Sequence, residues 1–390
     1  MRKASRAHGR ITAALLVVGI LLGIGAGACA PRVIVQQRPT FAELSDALSE
    51  EGGYFPSDNL VSNETGYQKV LNKLDELQVR GGVYIGVGPE QNFTYIAAIR
   101  PTRALILDIR RDNRLQHLLY KALFVLARNR AEFLSLLCSR PLEGSLRQWE
   151  TASVNDLVAA IDRARPSPAL FQATLKRVFE YLEKRVEFPL TPTDRERIEY
   201  IFGSFYAAGL DIRYETYSRR SWRTFPTLRE LLLETDLSGR QRNFLASEES
   251  FQFLKQLQER DLIIPVTGDF AGPKALRAIG DYLRQIGEVV SVFYTSNVEY
   301  YLLQQDALAA FAENVRTLPR DHRSLIIRSF VGFGYQHPEA LPGYYITTLL
   351  QYMENFLRHH DAGDYRSYYE LGVVDYIPLR SSERRPTPPR

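Results

Sequence analysis

The stretch Tyr84-Ile85-Gly86-Val87-Gly88-Pro89-Glu90 holds the residue types that can bring a ligand against bare backbone. A glycine turn that opens a helix leaves free amide N–H groups, which favour anionic or polar ligand groups. Gly86 and Gly88 supply a G-x-G turn, but position 91 is Gln, so the full G-x-G-x-x-G of dinucleotide sites is not formed. Glu90 in the first helical turn would repel a pyrophosphate, whereas it suits a cationic ligand group or the helix dipole. Three further positions stand where an apolar run ends. Asp108 closes Ala104–Ile109, Asp269 follows Leu262–Val266, and Asn297 follows Val289–Tyr294, where it could also cap the next helix. Other chemistries lack their residues. The chain has no G-x-S-x-G elbow, no H-E-x-x-H, no C-x-x-C and no phosphate loop with lysine, so neither a serine hydrolase nor a metal centre is expected.

These positions need strands to carry them. Apolar runs without alternation suit parallel strands covered on both faces, and five are expected: Val83–Ile85, Ala104–Ile109, Leu262–Val266, Val289–Tyr294 and Ser324–Phe330. Two helices are expected between Thr40 and Gln78, and others over Pro273–Ile286, Asn297–Asn314 and Tyr345–Leu357. Between the second and third strands lies a mostly helical insertion over about 113–260, starting with one long helix over 113–140. The insertion is interrupted by Tyr214, Tyr217, Arg219, Arg220, Trp222 and Arg223, a packed loop or a cleft wall. The fold class is therefore α/β, a mostly parallel sheet over 41–379 with a large helical insertion, placed to cover a cleft at the strand carboxyl ends.

The arrangement resembles the class I methyltransferases, which are Rossmann-like. The resemblance covers about 80–114 and 260–335. It implies S-adenosylmethionine as the candidate cofactor, with the turn at Tyr84, Gly86 and Gly88. It also implies Asp108 for the ribose hydroxyls, Asp269 for the adenine and Asn297 beside the transferred methyl group. The first-strand acid of that family is Tyr84 here and its last glycine is Glu90, which would then meet the ligand's ammonium group. The whole chain is also similar to a group of uncharacterised bacterial proteins that share Phe55-Pro56-Ser57-Asp58-Asn59, Tyr84 to Asn92 and Asp108 to Arg111.

The amino-terminal end carries another kind of chemistry. Arg2, Lys3, Arg6 and Arg10 precede an uncharged apolar run, Ile11–Ala28, and small residues lead to Cys29. That is the layout of a secretory signal over 1–28, and Ala26-Gly27-Ala28-Cys29 resembles the acylation site of bacterial lipoproteins, with Cys29 as the lipidated residue and 29–40 as a tether. An uncleaved anchor and ordinary cleavage are the alternatives; all three export the domain. The expected location is the cell envelope, with the domain held at a membrane facing the periplasm or exterior. Removing the four charges takes the formal net charge from +4 to zero (4 − 4), so no basic face for nucleic acid is expected. Cys138, in an apolar helical stretch, is then unpaired and expected to be a buried structural thiol. The tail 380–390 is expected to be disordered. Export conflicts with a cofactor made in the cytoplasm, so a non-catalytic envelope protein with the same fold, binding a small ligand or purely structural, is the other reading. Labelled palmitate should enter the wild-type chain and not Cys29→Ser; equal labelling of both would remove the lipid assignment.

Overall fold

A computed structural model describes residues 39–217 and 225–380. The signal segment, Cys29, most of the tether, Arg219, Arg220, Trp222, Arg223 and residues 381–390 lie outside the described residues. No described helix is long and apolar enough to cross a membrane.

Six strands form one sheet: β1 (Val83–Gly86), β2 (Arg103–Asp108), β3 (Ile263–Thr267), β4 (Val290–Ser296), β5 (Leu325–Val331) and β6 (Ile346–Tyr352). Their order is β3-β2-β1-β4-β5-β6. The first five run parallel, and β6 is antiparallel to β5. Ile85 on β1 sits level with Leu105 on β2 and Phe293 on β4. Every residue of β1, β3 and β5 is buried, which is why these segments are mostly apolar rather than alternating, with Thr267, Arg328 and Ser329 the buried polar exceptions.

All five expected strands are present, to within two residues at either end. The helix expected over Tyr345–Leu357 is not formed as such: Ile346–Tyr352 is β6, and the helix begins at Met353 and runs to Asp361. The β-branched Ile346, Thr347 and Thr348 favour extended backbone, and the open edge of β5 offers a full ladder from Leu325–Tyr352 to Val331–Ile346. The long helix expected over 113–140 is two, Arg111–Leu126 and Arg130–Cys138, because Asn129 is extended and its side chain caps the second by accepting from Glu132 N. The helix expected over Asn297–Asn314 also divides, at Asp306 with φ 55°, into Val298–Gln304 and Leu308–Arg316.

The helix Arg111–Leu126 joins the sheet to the insertion, packing on β2 and β3 on one side and on the helix Pro192–Ala208 on the other. At the free edge of the sheet, the segment after the first helix (Phe41–Leu48) straps β3. Glu50 N donates to Thr267 O at 2.9 Å and Thr267 N to Ser49 Oγ at 3.0 Å. Cys138 is fully buried and unpaired, with its thiol pushed up to about 12 by burial, so it is inert as a nucleophile.

One ion pair sits inside the sheet's other half. Arg328 on β5 forks onto Glu299, Nε to Oε2 at 2.7 Å and Nη2 to Oε1 at 3.1 Å, and Nη1 reaches Gln351 Oε1 and Leu371 O. Both charged side chains are 2% exposed or less. Glu299 belongs to Val298–Gln304, so the pair ties that helix to β5 and β6. Arg328→Met should cost about 3–5 kcal/mol of unfolding free energy in urea, since Glu299 is left buried and unpaired. The double variant with Glu299→Leu should recover much of that; a single variant of wild-type stability would show the pair to be dispensable.

Candidate functional site

The turn after β1 is built around Asn92. Its Nδ2 donates to the carbonyls of Val87, Gly88 and Pro89 at 2.9, 3.1 and 2.8 Å, while Oδ1 accepts from Tyr84 Oη at 2.8 Å. A Cβ on Gly86 would stand 2.0 Å from Asn92 Oδ1, and Gly88 has φ 81°. The Gly88 carbonyl also accepts from His117 Nε2 at 2.9 Å. Burial lowers the pKa of His117 to about 4, so the ring is neutral. The first glycine therefore makes room for an internal carboxamide, and the second supplies the left-handed backbone.

The expected site residues divide accordingly. Gly88, Asp108, Asp269 and Asn297 line one cavity of about 350 Å³ at the carboxyl ends of β1 to β4. Tyr84, Gly86 and Glu90 do not reach it. Tyr84 is fully buried with its hydroxyl on Asn92, and Gly86 faces the same side chain. Glu90 is 5% exposed and turns back to accept from Ser62 N at 3.0 Å. Burial raises its pKa to about 7, the Ser62 N–H only partly offsetting this, with the charge of Glu64 adding to the rise. A carboxylate at a helix start can point along either side of the turn, and here the apolar side holds it.

Asp108 lines the cavity already engaged. Arg110 Nε and Nη2 donate to its two oxygens at 3.1 and 3.0 Å, and Arg110 N donates to Oδ1 at 2.9 Å. The remaining Arg110 nitrogen, Nη1, donates to Asp58 O and so holds the segment 54–63 over the cavity. Asp269 closes its own turn, Oδ1 accepting from Ala271 N at 2.9 Å. That turn is set by Glu50, whose carboxylate accepts from Asp269 N at 2.9 Å and Lys274 N at 2.8 Å. Asn297 stands at the cap position of Val298–Gln304 but makes no side-chain cap, contrary to its simplest expected role.

Further lining residues have no ligand role expected from sequence, although Phe55, Asn59 and Gln91 fall in the stretches shared with the uncharacterised bacterial group. Tyr54, Phe55, Asn59 and Asn63 come from the segment after the helix Phe41–Leu48; Gln91 starts the helix after β1, Ser296 ends β4, Tyr301 lies within Val298–Gln304 and Gln305 follows it. Tyr214 arrives from the insertion to line the cavity, and Asp58 receives Tyr200 and Tyr217 hydroxyls, each at 2.6 Å, and Arg197. Partial burial opposes ionisation of Asp58, but these donors outweigh it and hold its pKa below the ordinary value. Behind the wall, Glu64 is fully buried and accepts from Tyr294 Oη at 2.7 Å and from the Ser296 and Ser329 hydroxyls. Its carboxyl is pushed up by burial against those three donors. Gln91 Nε2 in turn donates to Tyr294 Oη at 3.1 Å. Among the described residues there is no His, Cys, Asp and Glu grouping able to hold a metal ion.

The cleft and sheet define an α/β domain with a ligand-sized cavity, 300 Å³ being about the lower bound for small-molecule sites. The chain belongs to the family of a domain of unknown function, DUF7790, whose model matches residues 59–372 and so takes in all six strands and the insertion. No curated protein matches the chain.

A raised carboxyl pKa has a defined pH signature. The folded chain keeps a proton on Glu90 that the unfolded chain releases near 4.5, so its contribution is full below that value and is lost as pH rises to about 7. Between about pH 5 and pH 7.5, Glu90→Gln should lose less stability than wild type, by up to about 3 kcal/mol in urea unfolding. Parallel profiles would show that Glu90 is not held protonated.

Proposed function

We propose that the chain is an envelope-tethered domain with a methyltransferase-like core whose cleft binds a small nucleoside-containing ligand, S-adenosylmethionine being the candidate cofactor. The observation that carries the reading is that Gly88, Asp108, Asp269 and Asn297, from the ends of four different strands, line one cavity. The order β3-β2-β1-β4-β5 agrees with it: it is the order of doubly wound sheets, in which ligands sit outside the carboxyl ends at the switch point, here between β1 and β4. The last strand departs by running antiparallel.

The residues fit the nucleoside part of such a ligand. Asp108 and Asp269 offer carboxylate acceptors for hydroxyl and amino groups, and Phe55 and Tyr301 bring aromatic rings to the lining. The ammonium of the aminoacyl part lacks its expected partner, since Glu90 is turned away, while Arg110, the cation among the described lining residues, suits its carboxylate. No methyl-transfer step is assigned to this arrangement. A second reading, binding without catalysis, is favoured by the engagement of Asp108 with Arg110 and the sealing of Glu64 and Glu90 behind the wall. Export, supported by Ala26 to Cys29, agrees with it by separating the domain from the cytoplasmic cofactor.

Calorimetric titration of the full chain with adenosine and with S-adenosylmethionine tests both. Binding of either, weakened about tenfold or about 1.4 kcal/mol by Asp108→Asn, is expected. S-adenosylmethionine binding no tighter than adenosine would favour the non-catalytic reading. No heat with either at millimolar ligand overturns the nucleoside reading, and binding unchanged in Asp108→Asn removes Asp108 from the site.

A further inference from the structure

Aromatic rings continue from the cleft mouth onto the surface. Phe55 and Tyr301 line the cavity with centroids 5.3 Å apart, Tyr301 meets Tyr300 at 5.3 Å, and Tyr300 stacks on Phe333 at 4.9 Å. Tyr335 and Tyr369 pair beyond it at 4.6 Å. Phe333 is 57% exposed, Tyr369 44% and Tyr335 37%.

The backbone holds Phe333 out at a conformational cost. Its φ is 44°, a region a bulky side chain rarely adopts, and such strain persists where surroundings enforce it. The enforcing turn is Gly332 to Tyr335. Tyr335 N donates to Gly332 O at 2.7 Å, a Cβ on Gly332 would lie 2.2 Å from Tyr335 O, and Gly334 has φ 97°. The fold thus uses a strained turn to keep a large apolar ring in water, next to a ligand cavity.

The chemistry around the track selects an occupant. The cavity walls carry five carboxamides, Asn59, Asn63, Gln91, Asn297 and Gln305. Each carboxamide holds a donor and an acceptor side by side, which matches neighbouring hydroxyls. A sugar ring offers those hydroxyls at its edge and a patch of C–H groups on its face, which packs on an aromatic ring. A nucleic-acid strand would also stack, but it needs a basic groove. Among the described residues the cavity's ionic lining is Arg110 against Asp108 and Asp269, and Gly332–Tyr345 contains Glu339 and no lysine or arginine. The same lack of basic residues argues against a membrane face, where aromatic residues are joined by Lys and Arg.

We propose that a neutral oligosaccharide lies along this track, stacked on Phe333, Tyr300 and Tyr301, with its end sugar at the carboxamide-lined mouth of the cleft. The proposal rests on the cleft being a ligand site, and not on the identity of the ligand at its inner end.

The detergent-solubilised full chain would be titrated by calorimetry with three tetrasaccharides: β-1,4-linked N-acetylglucosamine, cellotetraose and maltotetraose. At least one should bind, and Phe333→Ala and Tyr369→Ala should each weaken it about tenfold without altering the thermal midpoint or adenosine binding. Failure of all three sugars at about 10 mM overturns the proposal, as does wild-type affinity in both variants. Phe333-dependent binding to phosphatidylglycerol vesicles or to an oligothymidylate, without sugar binding, overturns it in favour of that partner. If sugars fail while adenosine binds, the track alone is wrong; if sugars bind and adenosine does not, the nucleoside reading alone is wrong.

Discussion

A single buried carboxamide fixes the start of the cleft. Asn92 closes the turn after β1 onto three successive carbonyls and takes the Tyr84 hydroxyl with its own oxygen. Everything that the turn presents follows from this. Gly86 must lack a side chain, Gly88 must adopt left-handed backbone, and Gln91 starts its helix against Tyr294 with Glu64 behind it. A satisfied buried amide of this kind is worth keeping intact, because each orphaned partner would carry its own desolvation penalty. The segment looks like a ligand-binding loop in sequence because a tight turn of bare backbone has the same glycine requirement whether its neighbour is a ligand or an asparagine.

Two ionic arrangements extend the same order outward. Arg110 joins Asp108 at the end of β2 to the loop over the cavity, and Asp58 in that loop gathers Tyr200, Tyr217 and Arg197 from the insertion. The insertion is thereby part of the cleft rather than an appendage. On the opposite flank, Arg328 and Glu299 hold the helix that supplies Tyr301 and Gln305. Charge pairs frame the cavity, and among the described residues neutral amides and rings face inward beside Asp108, Arg110 and Asp269.

The fold was legible where the sequence pattern was produced by burial alone. β1 to β5 each contain an apolar run because both faces of the sheet are covered, and no tertiary information is needed to see those runs. β6 was not legible, because Ile346 to Leu357 has a helix-compatible spacing and only the unpaired edge of β5 decides for a strand. At the site, Gly88, Asp108, Asp269 and Asn297 were legible from their positions at strand ends. The side to which Tyr84 and Glu90 point was not, since it is set by Asn92 and by Ser62, 28 residues before Glu90. Glu64 gave no signal at all: its partners Tyr294 and Ser329 are 230 and 265 residues away.

The strap across β3 has a consequence for the molecule in company. β3 is a terminal strand of the sheet, and a terminal strand normally offers a row of unused amides and carbonyls to any other chain. Here Pro265 has no N–H to offer, while Ser49 and Glu50 occupy Thr267. The far edge is treated likewise, with Ile377 N donating to Leu350 O of β6 at 2.7 Å. Both borders of the sheet are therefore blunted against strand-by-strand self-association.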